Sequence, residues 1–176
     1  IRSIKFNENH YSTLFTEYNN DDSLQFIIKN GGINSKGLEM NDTRKLINLY
    51  GIASAMSYLH SKKILHYDLN PLNIIEDEFF RPKLINYGLK TVFPSFKDLL
   101  RIKEFSFYYA PEYYINNEYS KSSEVYSFGL IAYEILTYKN LFEGVTFNDH
   151  LINIHNEHRF PYKSAIPIFL WKLIEK

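Results

Sequence analysis

Apolar positions recur along this chain in two helical patterns and several short extended ones. Leu46, Leu49, Ile52 with Ala53, Met56 and Leu59 follow one another at three- and four-residue steps. That spacing predicts an amphipathic helix, capped by Asp42 and ending at Tyr58-Leu59-His60-Ser61. A second run, Glu124 to Thr137, is apolar on nearly every side (Val125, Phe128, Leu130, Ile131, Ala132, Ile135, Leu136) and has Ser122 or Ser123 ahead of it as a cap. A helix apolar all round is buried or membrane-bound, and this one is too short to span, so it is expected to be the central post of a helical bundle. Shorter helices are expected at Leu24 to Lys29, capped by Asp22-Ser23 and closed by Gly31-Gly32, at Phe147 to Asn156, and at Pro167 to Lys176, where the chain is expected to be cut mid-helix. Strand-like runs lie at Ile1 to Phe6 and Ser12 to Tyr18, joined by Asn7 to His10, and at Asn73 to Ile75 and Lys83 to Ile85, joined by Glu76 to Glu78. The stretch from Asn86 to Glu112 carries few regular signals.

At 176 residues, with 45% apolar and 17% aromatic side chains, the chain is expected to bury the core of one domain. Twenty acidic and twenty basic side chains cancel, so bulk charge selects neither nucleic acid nor an anionic membrane. The absence of cysteine removes disulfides, thiolate metal sites and cysteine nucleophiles. It fits a reducing, intracellular setting, and with no apolar run of spanning length and no signal peptide at the start, a cytoplasmic location is expected.

The chemistry concentrates in His66-Tyr67-Asp68-Leu69-Asn70-Pro71-Leu72-Asn73, where an acid stands five residues before an amide and two after a histidine. Asn and Asp favour such turns by bonding nearby backbone, so ordinary turn chemistry is one reading. Three further signatures follow in order: Asn86-Tyr87-Gly88 after the apolar Leu84-Ile85, Ala110-Pro111-Glu112, and Glu124-Val125-Tyr126-Ser127-Phe128-Gly129. Together the four resemble the H-x-D-x-x-x-x-N, D-F-G, A-P-E and D-x-Y-S-F-G motifs of the protein kinase family.

The resemblance implies an α+β, protein-kinase-like fold. Residues 1–20 would be small-lobe strands and hinge, and residues 21–176 a mostly helical large lobe truncated at its C-terminal end. It also implies ATP and magnesium as cofactors and protein partners or substrates, without nucleic acid or membrane. Asp68 would accept the substrate hydroxyl proton, and Asn73 and Asn86 would ligate metal. His66 would brace the loop under Tyr87. The Glu17 carbonyl and Asn19 amide would face the adenine edge, and Ile75 would form the apolar floor beneath it. The stretch 86–112 would be an activation segment, in which Thr91, Ser95, Ser106, Tyr108 and Tyr109 offer phosphorylatable hydroxyls.

Five departures bear on activity. Asn86 stands where the family has a metal-binding Asp, and unit charges about 4 Å apart interact by roughly 4 kcal/mol at an effective dielectric near 20. Since about 1.4 kcal/mol is tenfold in rate, the loss is of order a thousandfold. Asn70 replaces the catalytic-loop lysine of serine/threonine kinases, and Tyr67 replaces the arginine that clasps a phosphorylated activation segment. These residues contain no glycine-rich phosphate loop and no V-A-I-K-type lysine. Glu112 lacks the arginine with which the family pairs it. The leading expectation is therefore a kinase-like domain fragment with impaired catalysis, a pseudokinase-like binding or scaffolding module. The alternative is an active Ser/Thr or Tyr kinase whose N-lobe lies outside this chain, and a third reading is a helical interaction domain without kinase chemistry.

Overall fold

The computed structural model describes residues 3–6, 12–15, 22–77, 79–88, 106–156, 160–161, 163–164 and 166–174. Strands β1 (Ser3–Phe6) and β2 (Ser12–Phe15) form an antiparallel hairpin with Ser3 opposite Phe15. Glu17 and Asn19, expected at an adenine edge, lie outside the described residues, as do Thr91 and Ser95.

Helix α1 (Leu24–Lys29) starts where the Ser23 side chain accepts from the Phe26 amide, and it ends before Gly31 and Gly32, both in the left-handed region. Gly32 has a second reason to be glycine: a Cβ there would meet the Tyr138 ring at 2.5 Å. Helix α2 (Asp42–Ser61) is capped by Asn41 rather than by Asp42, because the Asn41 side chain accepts from the Arg44 amide and Asp42 already belongs to the first turn. Its buried stripe is Asn48, Leu49, Ile52, Met56 and Leu59, whereas Leu46 and Ala53 face outward. The buried Asn48 amide donates to Glu76, whose carboxyl burial pushes above its ordinary range.

A single 3-10 turn (Pro71–Asn73) leads into β3 (Ile74–Glu76), which pairs antiparallel with β4 (Pro82–Leu84). Both strands are offset by one residue from the sequence reading, because Asn73 completes the turn that Asn70 caps. Asp77 closes the β3–β4 turn, accepting from the Phe79 and Arg81 amides and from the Arg81 guanidinium. Ile75 forms a bridge to Ser23, and the Glu76 amide donates to the Asp22 carbonyl, which ties β3 to the entry of α1.

The second half contains a 3-10 turn (Ser106–Tyr108) and helices α3 (Pro111–Asn116), α4 (Lys121–Thr137), α5 (Phe147–His155) and α6 (Ile168–Ile174). Helix α3 was not expected from the apolar pattern; Pro111 at its first position is the signal that marks it. Helix α4 begins one turn earlier than the apolar run, since Ser120, not Ser122 or Ser123, is the cap and exchanges a capping box with Ser123. Ile131 and Ile135 on α4 have no exposed surface, and α4 packs against α2, α6 and the 106–108 turn, so it is the post of the lobe. It is not uniformly apolar: it buries Glu124, Ser127 and Glu134 and leaves Val125 outside. No described helix is long and apolar enough to cross a membrane.

Candidate active site

The loop between α2 and β3 is held in a conformation its residues would not choose alone. Tyr67 has φ of +68°, a region bulky side chains avoid, at a cost of about 1–3 kcal/mol. Three contacts hold it there. Its amide donates to Glu124 Oε1 at 2.9 Å, the Tyr109 hydroxyl donates to its carbonyl at 3.3 Å, and its ring stacks on Tyr119 with centroids 5.0 Å apart. Glu124, 1% exposed, also bonds His60 Nε2 at 2.7 Å through its other oxygen. One buried carboxylate thus joins the end of α2, the loop and α4.

Tyr67, where the family has arginine, belongs to a ring cluster with Tyr109, Tyr113 and Tyr119. Burial and the Asp68 charge push the Tyr109 phenol up, and burial with the Glu124 charge does the same to Tyr119. These phenols stay protonated across the working pH range.

His66 is 1% exposed, and its Nδ1 accepts from the Asp68 amide at 3.3 Å. Burial holds its pKa near 4, against the opposing charge of Glu124, so it is neutral and serves as an acceptor.

Asp68, Asn70, Asn73 and Asn86 come together in a chain of amides. Asn70 Nδ2 donates to Asp68 Oδ1 at 2.8 Å, and Asn73 Nδ2 donates to Asp68 Oδ2 at 2.7 Å and to the Asp68 carbonyl at 2.8 Å. Both carboxylate oxygens therefore already accept. Asn86, in the left-handed region at φ +63°, donates its Nδ2 to Asn73 Oδ1 at 2.9 Å. Because Asn73 must present its NH2 to Asp68, its oxygen must face Asn86, and Asn86 must donate: the amide orientations follow from the network. Asn70 is 1% exposed and caps the 3-10 turn, its Oδ1 accepting from the Leu72 and Asn73 amides. Its side chain is turned into the loop.

As a magnesium site this arrangement fits poorly. Magnesium selects carboxylates and phosphate oxygens in near-ideal octahedral geometry. Here the two residues expected to ligate it are neutral amides bonded to each other, and the one carboxylate is engaged on both oxygens. Ile75 is buried in β3, whose edge bridges Ser23 just beyond the stretch that includes Glu17 and Asn19.

Glu112 is half-buried and accepts from the Ser123 hydroxyl at 2.7 Å through its Oε1, a neutral contact and not the charge pair the family places there. One expectation is corrected. Tyr108 is 6% exposed and donates to Glu134 Oε2 at 2.8 Å, so its hydroxyl is a core contact and not an accessible modification site. Glu134, which sequence reasoning missed, also accepts from the Leu141 amide at 2.8 Å, and burial raises its pKa to about 7. A charged residue inside an otherwise apolar helix is the signal that could have found it.

The fold and loop geometry agree with what comparison shows. A protein kinase domain model matches residues 1–174, and the chain belongs to the protein kinase family. It is 34% identical over 125 residues to a cysteine-rich receptor-like protein kinase of Oryza sativa subsp. japonica, covering 68% of this chain and 19% of that protein. It is 31% identical over 165 residues to a putative serine/threonine-protein kinase/receptor of Acanthamoeba polyphaga mimivirus, covering 93% of this chain and 10% of that protein. A dual specificity protein kinase of Dictyostelium discoideum is 32% identical over 167 residues, covering 93% of this chain and 12% of that protein. The chain thus spans a fifth or less of the length of these relatives.

Proposed function

We propose that this kinase-family chain works as a binding or scaffolding module whose capacity for phosphoryl transfer is impaired. The observation that supports the reading is the hydrogen-bonded series Asn86–Asn73–Asp68–Asn70, in which neutral amides stand where the reaction needs negative charge for a metal and positive charge for a phosphate. Phosphoryl transfer depends on positioning and on neutralising charge as it develops. In this reading Asp68 anchors the loop, Asn70 and Asn73 are positioning residues, and Asn86 closes the network from the other side of the cleft. Nucleotide, where it binds, lies against β3 at Ile75.

The competing reading is an active kinase in which Asp68 is the base. It draws on the half-exposed position of Asp68 at the centre of the cluster. Incubation of the purified protein with ATP, magnesium and generic protein acceptors separates the two. The proposal expects incorporation indistinguishable from that of Asp68→Ala. Transfer that Asp68→Ala abolishes would overturn it.

A further inference from the structure

A second site lies away from the loop, in a cavity of about 210 Å³ between α3, α4 and α5. Tyr126, Phe142 and Phe160 supply aromatic walls, Val145 and Ile154 aliphatic ones, and His150 and Asn153 are the polar residues set among them. Among the described residues no charged side chain lines it. The His150 ring is fixed by edge contacts to Phe107 at 4.9 Å and Phe142 at 5.2 Å. His150 is 5% exposed, and its Nε2 is buried without a hydrogen-bond partner. Buried polar atoms are nearly always paired, so an orphan on a cavity wall calls for a partner from outside the chain.

The space and its chemistry restrict that partner. An apolar cavity of about 150 Å³ holds benzene, so one about two-fifths larger holds a ring with small substituents, whereas a single water takes only about 30 Å³. We propose that this cavity binds a small, uncharged, monocyclic aromatic molecule carrying one hydroxyl, with the ring among the aromatic walls and the hydroxyl bonded to His150 Nε2. Burial holds the imidazole pKa near 4, so it is neutral and offers no attraction to an anion. The proposal is independent of whether the kinase cleft is active.

The test uses p-cresol, toluene and N-acetyl-tyrosinamide, each titrated into the chain and followed by ligand-observed NMR and by the His150 ring resonances. One hydrogen bond predicts p-cresol binding about fivefold more tightly than toluene, with a shift confined to the His150 ring among the histidines. His150→Phe should equalise the two, and Val145→Phe should block both. Should either variant fail to fold, the wild-type preference and the His150 shift decide alone. Absence of p-cresol binding at millimolar concentration, equal affinity for toluene, or an unmoved His150 resonance would overturn the proposal. Tighter binding of the tyrosinamide than of p-cresol would assign the cavity to a partner's side chain and overturn it as well.

Discussion

Replacing Glu124 with alanine tests whether one carboxylate holds the loop. The side chain is 1% exposed and accepts from the Tyr67 amide at 2.9 Å and from His60 at 2.7 Å. Hydrogen bonds to a charged group contribute about 1.5–3 kcal/mol each. Loss of both contacts also frees Tyr67 to leave its left-handed conformation, which relieves about 1–3 kcal/mol of strain in the folded state and offsets part of the cost. The expected net destabilisation of Glu124→Ala is about 2–3 kcal/mol. Glu124→Gln keeps one acceptor oxygen and loses about half as much. Urea unfolding measures both, with unchanged slope showing that the compactness of the two states is preserved. Hydrogen exchange at the Tyr67 amide localises the effect. A loss below about 1 kcal/mol in Glu124→Ala, with Tyr67 protection unchanged, would refute the reasoning.

Two other substitutions follow from buried contacts. Glu134 has its folded pKa raised from 4.5 to about 7, so its contribution is fully present below about pH 4.5 and is lost as pH rises through about 7. Glu134→Gln removes that dependence: the stability difference between variant and wild type should grow in the variant's favour by on the order of 2–3 kcal/mol between pH 4.5 and 8, and a flat difference would contradict it. Gly51→Ala opposes helix propensity to packing, since alanine gains about 1 kcal/mol in a helix interior but its Cβ would meet Pro82 Cγ at 2.5 Å. The rigid proline ring cannot swing aside, so net destabilisation of about 1–2 kcal/mol is expected by thermal unfolding, and a raised midpoint would contradict it.

The residues that define the family were legible because their spacing is short-range: Asp68 to Asn73 spans one turn, and Asn86 follows directly on β4. What those residues bond to was not legible. The donation from Asn86 to Asn73 joins residues 13 apart in sequence, and that from Tyr67 to Glu124 joins residues 57 apart. Only the folded chain shows that Asn70 faces inward and that the Ser123 hydroxyl donates to Glu112. The caps moved for a local reason: Asn41 and Ser120 lie one turn before the apolar runs they serve, where polar residues carry no periodicity. Glu134 and His150 gave no sign of their burial: Glu134 is a lone charge in an apolar run, and His150 follows the polar Asn148 and Asp149.

In the proposed function, neutral amides stand where a divalent ion requires charge. Manganese is a paramagnetic stand-in for magnesium, and it broadens NMR signals only close to where it binds. Titrated into wild-type protein and into Asn86→Asp, it should leave the Asn70 and Asn73 side-chain amides sharp in the wild type and broaden them in the variant, where a carboxylate restores about 4 kcal/mol of attraction at an effective dielectric near 20. Equal broadening of the Asn73 amide in wild type and variant at the same manganese concentration would contradict the account.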